Sequence, residues 1–239
     1  MSYEQQKNQA AAYGTDTVID AGLQAHMRSV YNTMGLGLAV TALVAMVVAN
    51  VEPLRALVFG PMYILFALAP LGFLFFGFTP GKMARWPASK IRTMFFVFAG
   101  VMGLSMAAIF AVFPAVSIAR VFFVTAATFA AASLYGYTAK KDLTAMGSFL
   151  IMGMIGIFVA ALVNMFFQSS MMQFIISAIG VVVFTGLTAW ETQRLKESYA
   201  YGRDIAEANA KMAIMGALSL YLNFINLFQS LMHLMGGRE

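Results

Sequence analysis

Seven apolar stretches, each long enough to cross a lipid bilayer, constrain this chain more than any other feature. Crossing the ~30 Å hydrocarbon layer takes about 20 mostly apolar residues in a helix. Ser29–Val51, Leu57–Phe78, Thr93–Phe113, Ser117–Tyr137, Ala145–Phe167, Met171–Trp190 and Met212–Leu234 meet that requirement. Arg120, near the start of the fourth, is the only Lys, Arg or Asp within them. The stretches are apolar on every face, which reads as helix; barrel strands would alternate polar and apolar over ~10 residues. Composition agrees: 61% of the residues are hydrophobic and 10% charged, too few polar side chains to cover a soluble surface. No long polar segment divides the apolar part, so residues 29–239 read as one all-α integral membrane domain.

Residues 1–28 differ, being polar and rich in Gln, Asn and Ala, with Glu4, Asp16 and Asp20. They carry neither an apolar core before a small-residue cleavage site nor the Arg-rich character of a transit sequence. Ile19, Leu23, Met27 and Val30 recur at helical spacing, with Val18 and His26 beside them. Two readings stand: a short amphipathic helix on the membrane surface, weakened by Gly22, or an ordinary frayed terminus.

Basic residues fall mainly in the connections. Lys7, Arg28, Lys82, Arg85, Lys90, Arg92, Lys140, Lys141, Arg194, Lys196, Arg203 and Lys211 map to one side of the membrane, and Arg55, Arg120 and Arg238 to the other. Twelve against three predicts a cytoplasmic N-terminus and, with an odd number of spans, a C-terminus outside. This placement belongs to membrane orientation, not to phosphate recognition, so no nucleic-acid partner is expected.

Proline and glycine mark local geometry. Pro61 and Pro70 fall within the second span and predict a kink. Gly100 with Gly103, Gly153 with Gly156, and the run Ala126–Ala132 offer small faces for close helix packing. Gly35 and Gly37 do not make a dinucleotide loop, since they lie within a lipid-length helix and lack the third glycine.

Groups for catalysis are scarce. There is no cysteine, and the two histidines, His26 and His233, are predicted on opposite membrane faces. No cofactor and no enzymatic activity are expected. The nineteen methionines read as adaptable apolar filler. The informative residues are polar ones at membrane depth, where burial is costly unless they pair or line water. These are Asn164 in the fifth span, Asn223, Asn226 and Gln229 in the seventh, and Glu191 at the end of the sixth. Asn164 reads first as inter-helix hydrogen bonding. Glu191 reads either as a solvated helix-end residue or as a functional carboxylate. Around it Arg194, Glu197, Arg203, Glu207 and Lys211 fall at pairing distances, predicting a helical, salt-bridged connection. The polar residues of the seventh span predict that it is the most enclosed helix.

Three segments carry a family resemblance. Thr125-Ala-Ala-Thr-Phe129 with Leu134-Tyr-Gly-Tyr-Thr138 and Lys140-Lys-Asp-Leu143 resembles the fourth-span signature of the Bax inhibitor-1 family. Phe184-Thr-Gly-Leu-Thr-Ala-Trp-Glu-Thr-Gln193 and Ala217-Leu-Ser-Leu-Tyr-Leu-Asn-Phe-Ile-Asn-Leu-Phe228 resemble its sixth and last spans. The short polar N-terminus is most similar to the bacterial, YccA-like branch, implying the bacterial inner membrane. The resemblance implies six helices around a central seventh, and a pH-sensitive calcium leak, linked in eukaryotic members to protection from cell death. It attributes that leak to two aspartates, one on the sixth and one on the seventh span. Glu191 and Asn223 occupy those positions here, so Glu191 is the implied calcium ligand and Asn226 and Asn164 are supporting polar residues. Glu191 and Asn223 are expected within hydrogen-bonding reach. The other function the resemblance implies is a non-transporting regulator of a membrane-bound ATP-dependent protease, with residues 1–28 as its handle.

Overall fold

The computed structural model describes residues 3–60, 63–199 and 206–237. Among these residues the chain forms nine helices and no strand: α1 (Tyr3–Asn50), α2 (Glu52–Phe59), α3 (Tyr63–Gly77), α4 (Pro80–Arg85), α5 (Ala88–Val112), α6 (Ala115–Thr138), α7 (Thr144–Phe167), α8 (Ser170–Ser198) and α9 (Ala206–Met235). Six are long and apolar enough to cross a bilayer, and the bent pair α2–α3 brings the total to seven when counted as one span.

The direction of packing supports the return across the membrane through α2–α3. Gly37 faces the Phe95 ring, the Thr41 hydroxyl donates to the carbonyl oxygen of Ala99, and Val44 packs on Gly103. These contacts step forward together along α1 and α5, so the two helices run parallel. The chain must therefore cross back between Asn50 and Ala88.

That second crossing bends between α2 and α3, in keeping with the kink expected in Leu57–Phe78, and the bend divides the span into two helices. Gly60 leaves the helix with extended backbone at φ −80° and ψ −150°, the region favoured before a proline. Pro61 itself lies outside the described residues, while Pro70 is buried inside α3. At 15 residues and about 1.5 Å per residue, α3 is short for the hydrocarbon layer, so α2 is needed to complete the passage.

At the start of the chain α1 runs unbroken from Tyr3. No break separates residue 28 from the first span; Ala21–Asn50 is one continuous apolar crossing. Met27 and Val30 are buried in the core and Leu23 packs against it. Their helical spacing therefore marks the packed face of α1 rather than a separate surface helix; the side chain of Ile19 lies outside the described residues.

One end of the bundle gathers the starts of α5, α7 and α9 with the ends of α6 and α8. There Glu207 accepts the Ala88 N–H at 2.7 Å, and Lys211 donates to the Ala84 carbonyl oxygen at 3.3 Å. Lys90, Arg92, Lys140, Lys141, Arg194 and Lys196 share this basic end, while Arg55 and Arg120 lie toward the other. Arg203 is outside the described residues. At the far end the Gly237 N–H donates to the Ser117 hydroxyl at 3.1 Å. Reporters fused before α1 and after α9 are therefore expected on opposite membrane faces. Both reporters on one face would remove the α2–α3 crossing.

The last helix is the centre, as its polar residues predicted. In α9, 67% of the apolar membrane-length stretch is buried, against 39% at most in the other five long helices. Its direct walls are α1, α5, α6 and α8, with α3 packed behind α5 and α7 behind α8. The outer surfaces are lined by exposed Phe, Leu, Ile and Val side chains such as Phe123, Phe149, Phe166 and Val182, as a lipid-facing bundle requires.

Candidate functional site

The antiparallel register of α8 and α9 positions the site. Gly216 lets the Leu195 side chain sit against the α9 backbone, and Gly180 receives Ser230. Glu191 is 3% exposed and faces Ser219 of α9. Its carboxylate accepts a 2.7 Å bond from the Arg194 guanidinium, one turn along the same helix, whose side chain is 54% exposed. A buried charge needs such a partner, so Glu191 is not a solvated helix-end residue. Thr192, next to it, shares a 3.3 Å hydroxyl hydrogen bond with Tyr31 of α1.

Asn223 is buried on α9, one turn deeper than Ser219 and level with Leu187 and Thr188. No hydrogen bond joins it to Glu191 among the described residues, contrary to expectation; the register gives Ser219 the place opposite the carboxylate. Asn226, half-buried, donates to the Leu222 carbonyl oxygen of its own helix at 2.8 Å. Asn164 is the fastening of the α7–α8 turn. Its side chain accepts from the Ser169 N–H at 3.0 Å and donates to Gln173 at 3.3 Å, and its carbonyl oxygen accepts from the Gln168 N–H. Glu207 and Lys211, predicted to pair along the connecting helix, instead reach the start of α5 and the end of α4. No group of three His, Asp or Glu side chains comes together among the described residues, and Arg194 is the charged group that acts on Glu191.

Several residues that organise the site carried no sequence signal as ligands. Gln193 accepts the Leu143 N–H at 2.8 Å and donates to the Lys141 carbonyl oxygen at 2.9 Å. Lys196 donates to the Tyr137 carbonyl oxygen at 3.0 Å. The fourth-span and sixth-span motifs thus meet in one junction at the basic end, with Gly136 of α6 against the Ala189 backbone of α8. Across the centre, the Tyr221 and Thr41 hydroxyls are 2.6 Å apart. His26 is buried with its ring 5.2 Å from Tyr199. Outside the membrane, the Thr144 hydroxyl and N–H hold the Asp142 carboxyl below the usual carboxylate range.

This geometry is that of a polytopic helical membrane protein with, among the described residues, one buried carboxylate beside its central helix. The chain matches the family described as "Inhibitor of apoptosis-promoting Bax1" over residues 23–239, and it belongs to that family. It is 39% identical over 229 residues to the inner membrane protein YbhL of Escherichia coli K12, covering 94% of this chain and 97% of that protein. A protein of Rickettsia prowazekii, RP147, is 44% identical over 225 residues, with 92% of each chain covered. A Caulobacter vibrioides protein is 39% identical over 238 residues, covering 94% and 93%.

Proposed function

We propose that this chain is a pH-sensitive cation leak protein of the bacterial inner membrane, with calcium as its cargo, a cytoplasmic N-terminus, and Glu191 as its gate. The observation that carries the reading is the buried Glu191 carboxylate held by an exposed arginine of its own helix. The ion pair lies within α8, and across to α9 the carboxylate meets one neutral hydroxyl, that of Ser219, a small return for burying a charge here and the ground for reading it as functional. Arg194 screens the carboxylate; when it swings away, a lone negative charge faces the polar seam of Thr188, Thr192, Ser219 and Asn223. A single carboxylate supplies few anionic oxygens for calcium, which suits a passing cation rather than a resident one. It also titrates alone, without the coupling that two neighbouring carboxylates show.

Calcium flux from liposomes holding the purified protein, followed across pH, tests this. Wild type is expected to leak with a shallow pH profile, and Arg194→Gln to leak faster. Asn223→Asp adds a second carboxylate and is expected to steepen the profile. Glu191→Gln is expected to cut the flux at least about tenfold, as removal of a lone buried charge implies, and to remove its pH response. A steep wild-type profile left unchanged by Glu191→Gln would sink the proposal and turn attention to the protease-regulator reading.

A further inference from the structure

Helices α1 and α6 both wall the central helix, yet they do not pack extensively on each other. The gap between them holds two cavities, one of about 490 Å³ near the basic end and one of about 560 Å³ near the far end. The larger is apolar, floored by Phe224, Ile225 and Phe228 of α9. The smaller is also mostly apolar, with a few polar side chains on one side. Met27 and Phe129 form its buried wall, Gln24, Arg28 and Tyr137 its polar side, and it opens to lipid beside Leu134, which is 65% exposed.

Two independent observations mark the smaller cavity as a site. Ser133 is 7% exposed, lines the cavity, and its hydroxyl has no hydrogen-bond partner. The oxygen is covered in this structure, and a turn of the short side chain brings the unsatisfied hydroxyl to a guest in the cavity. Arg28 lies level with Ser133 across the gap and is exposed, and the single ion pair among the described residues is Arg194–Glu191. Lys196 adds a second positive charge 5.2 Å from the Tyr137 ring. Arg28 sits about two turns into the crossing helix Ala21–Asn50, toward its basic end, and a long arginine stem pointing toward the helix N-terminus carries the guanidinium back to the level of lipid phosphates.

We propose that this cavity binds one anionic phospholipid, its phosphate held by Arg28 and Ser133 and an acyl chain lying along the α1–α6 gap toward the apolar cavity. Arginine is suited to the phosphate because its planar fork donates two hydrogen bonds at once. Basic pockets between transmembrane helices recognise lipid headgroups by this chemistry. The apolar cavity that continues the gap, with Phe110 and Phe122 among its walls, suits an acyl chain and gives a soluble anion nothing.

Purified full-length protein in a neutral detergent is titrated with phosphatidylglycerol, phosphatidylcholine or inorganic phosphate, with native mass spectrometry counting bound molecules and melting temperature following stabilisation. The expected result is one phosphatidylglycerol per chain, bound roughly tenfold more tightly than phosphatidylcholine. Arg28→Gln should lose about that tenfold preference, as loss of a charge-assisted hydrogen bond implies. Ser133→Leu, which fills the cavity, should lose binding, and Arg92→Gln, an exposed charge elsewhere on the basic end, should bind as wild type. Equal binding of the two lipids, an unchanged Arg28→Gln, or equal losses in Arg28→Gln and Arg92→Gln would overturn the proposal. Saturation by inorganic phosphate alone would also overturn it, by assigning the site to a soluble anion.

Discussion

Replacing Tyr221 with alanine is expected to cost the bundle about 3–5 kcal/mol, the usual range for deleting a buried aromatic ring. Tyr221 has no exposed surface. Its ring meets Phe95 and Phe98 of α5 edge-on, with centroids 5.5 and 5.9 Å away. Its hydroxyl lies 2.6 Å from that of Thr41, which lies 2.9 Å from the Ala99 carbonyl oxygen and 3.0 Å from that of Gly37. Thr41 has one proton to give to these carbonyls, so the tyrosine donates to the threonine. One side chain thereby joins α9, α1 and α5. Truncation opens a cavity among three helices, whereas Tyr221→Phe keeps the ring and loses one hydrogen bond, about 1 kcal/mol or less. Thermal unfolding in detergent should show the alanine variant lower by on the order of 10 °C and the phenylalanine variant lower by a few. An alanine variant that melts with wild type would mean that the centre is held elsewhere.

What could be read in advance followed from the bilayer's demands. Backbone polar groups must be satisfied internally in hydrocarbon, so long apolar runs had to be helices, and Asn223, Asn226 and Gln229 had to turn inward. Where two physical signals competed, the stronger count misled. Pro61 and Pro70 announced a kink, but the unbroken apolarity of Leu57–Phe78 hid that the span divides into two helices. At the other extreme, Leu23, Met27 and Val30 lie in a polar neighbourhood that disguised the packed face of α1. Register was beyond reach altogether. Whether Ser219 or Asn223 stands opposite Glu191 depends on how far α8 and α9 slide, which is set by Leu195 against Gly216 and Ser230 against Gly180. Likewise, nothing local announces that Thr41 and Tyr221, 180 residues apart, share a hydrogen bond, because both side chains are compatible with a lipid-length helix.

The fourth-span and sixth-span motifs meet at a backbone contact between α6 and α8, and Gly136 is the residue that tests it. A methyl group on Gly136 would overlap the carbonyl oxygen of Ala189 and lie 2.9 Å from its Cα. The obstacle is backbone, so no side-chain rotation relieves it and α6 must move away from α8. That movement would also strain the Gln193 bonds to Leu143 and Lys141 that hold the α6–α7 connection over Glu191. Gly156 of α7 is the matched contrast, since a methyl group there meets nothing within 4 Å. In a helix interior, alanine is favoured over glycine by roughly 0.5–1 kcal/mol, so Gly156→Ala should be neutral or slightly stabilising. Gly136→Ala forfeits the same gain to overpacking, about 1–3 kcal/mol or more, and should melt several degrees below wild type in the same detergent. If instead the two alanine variants melt together, α6 and α8 are not in backbone contact at the basic end, and the junction between the two motifs does not form.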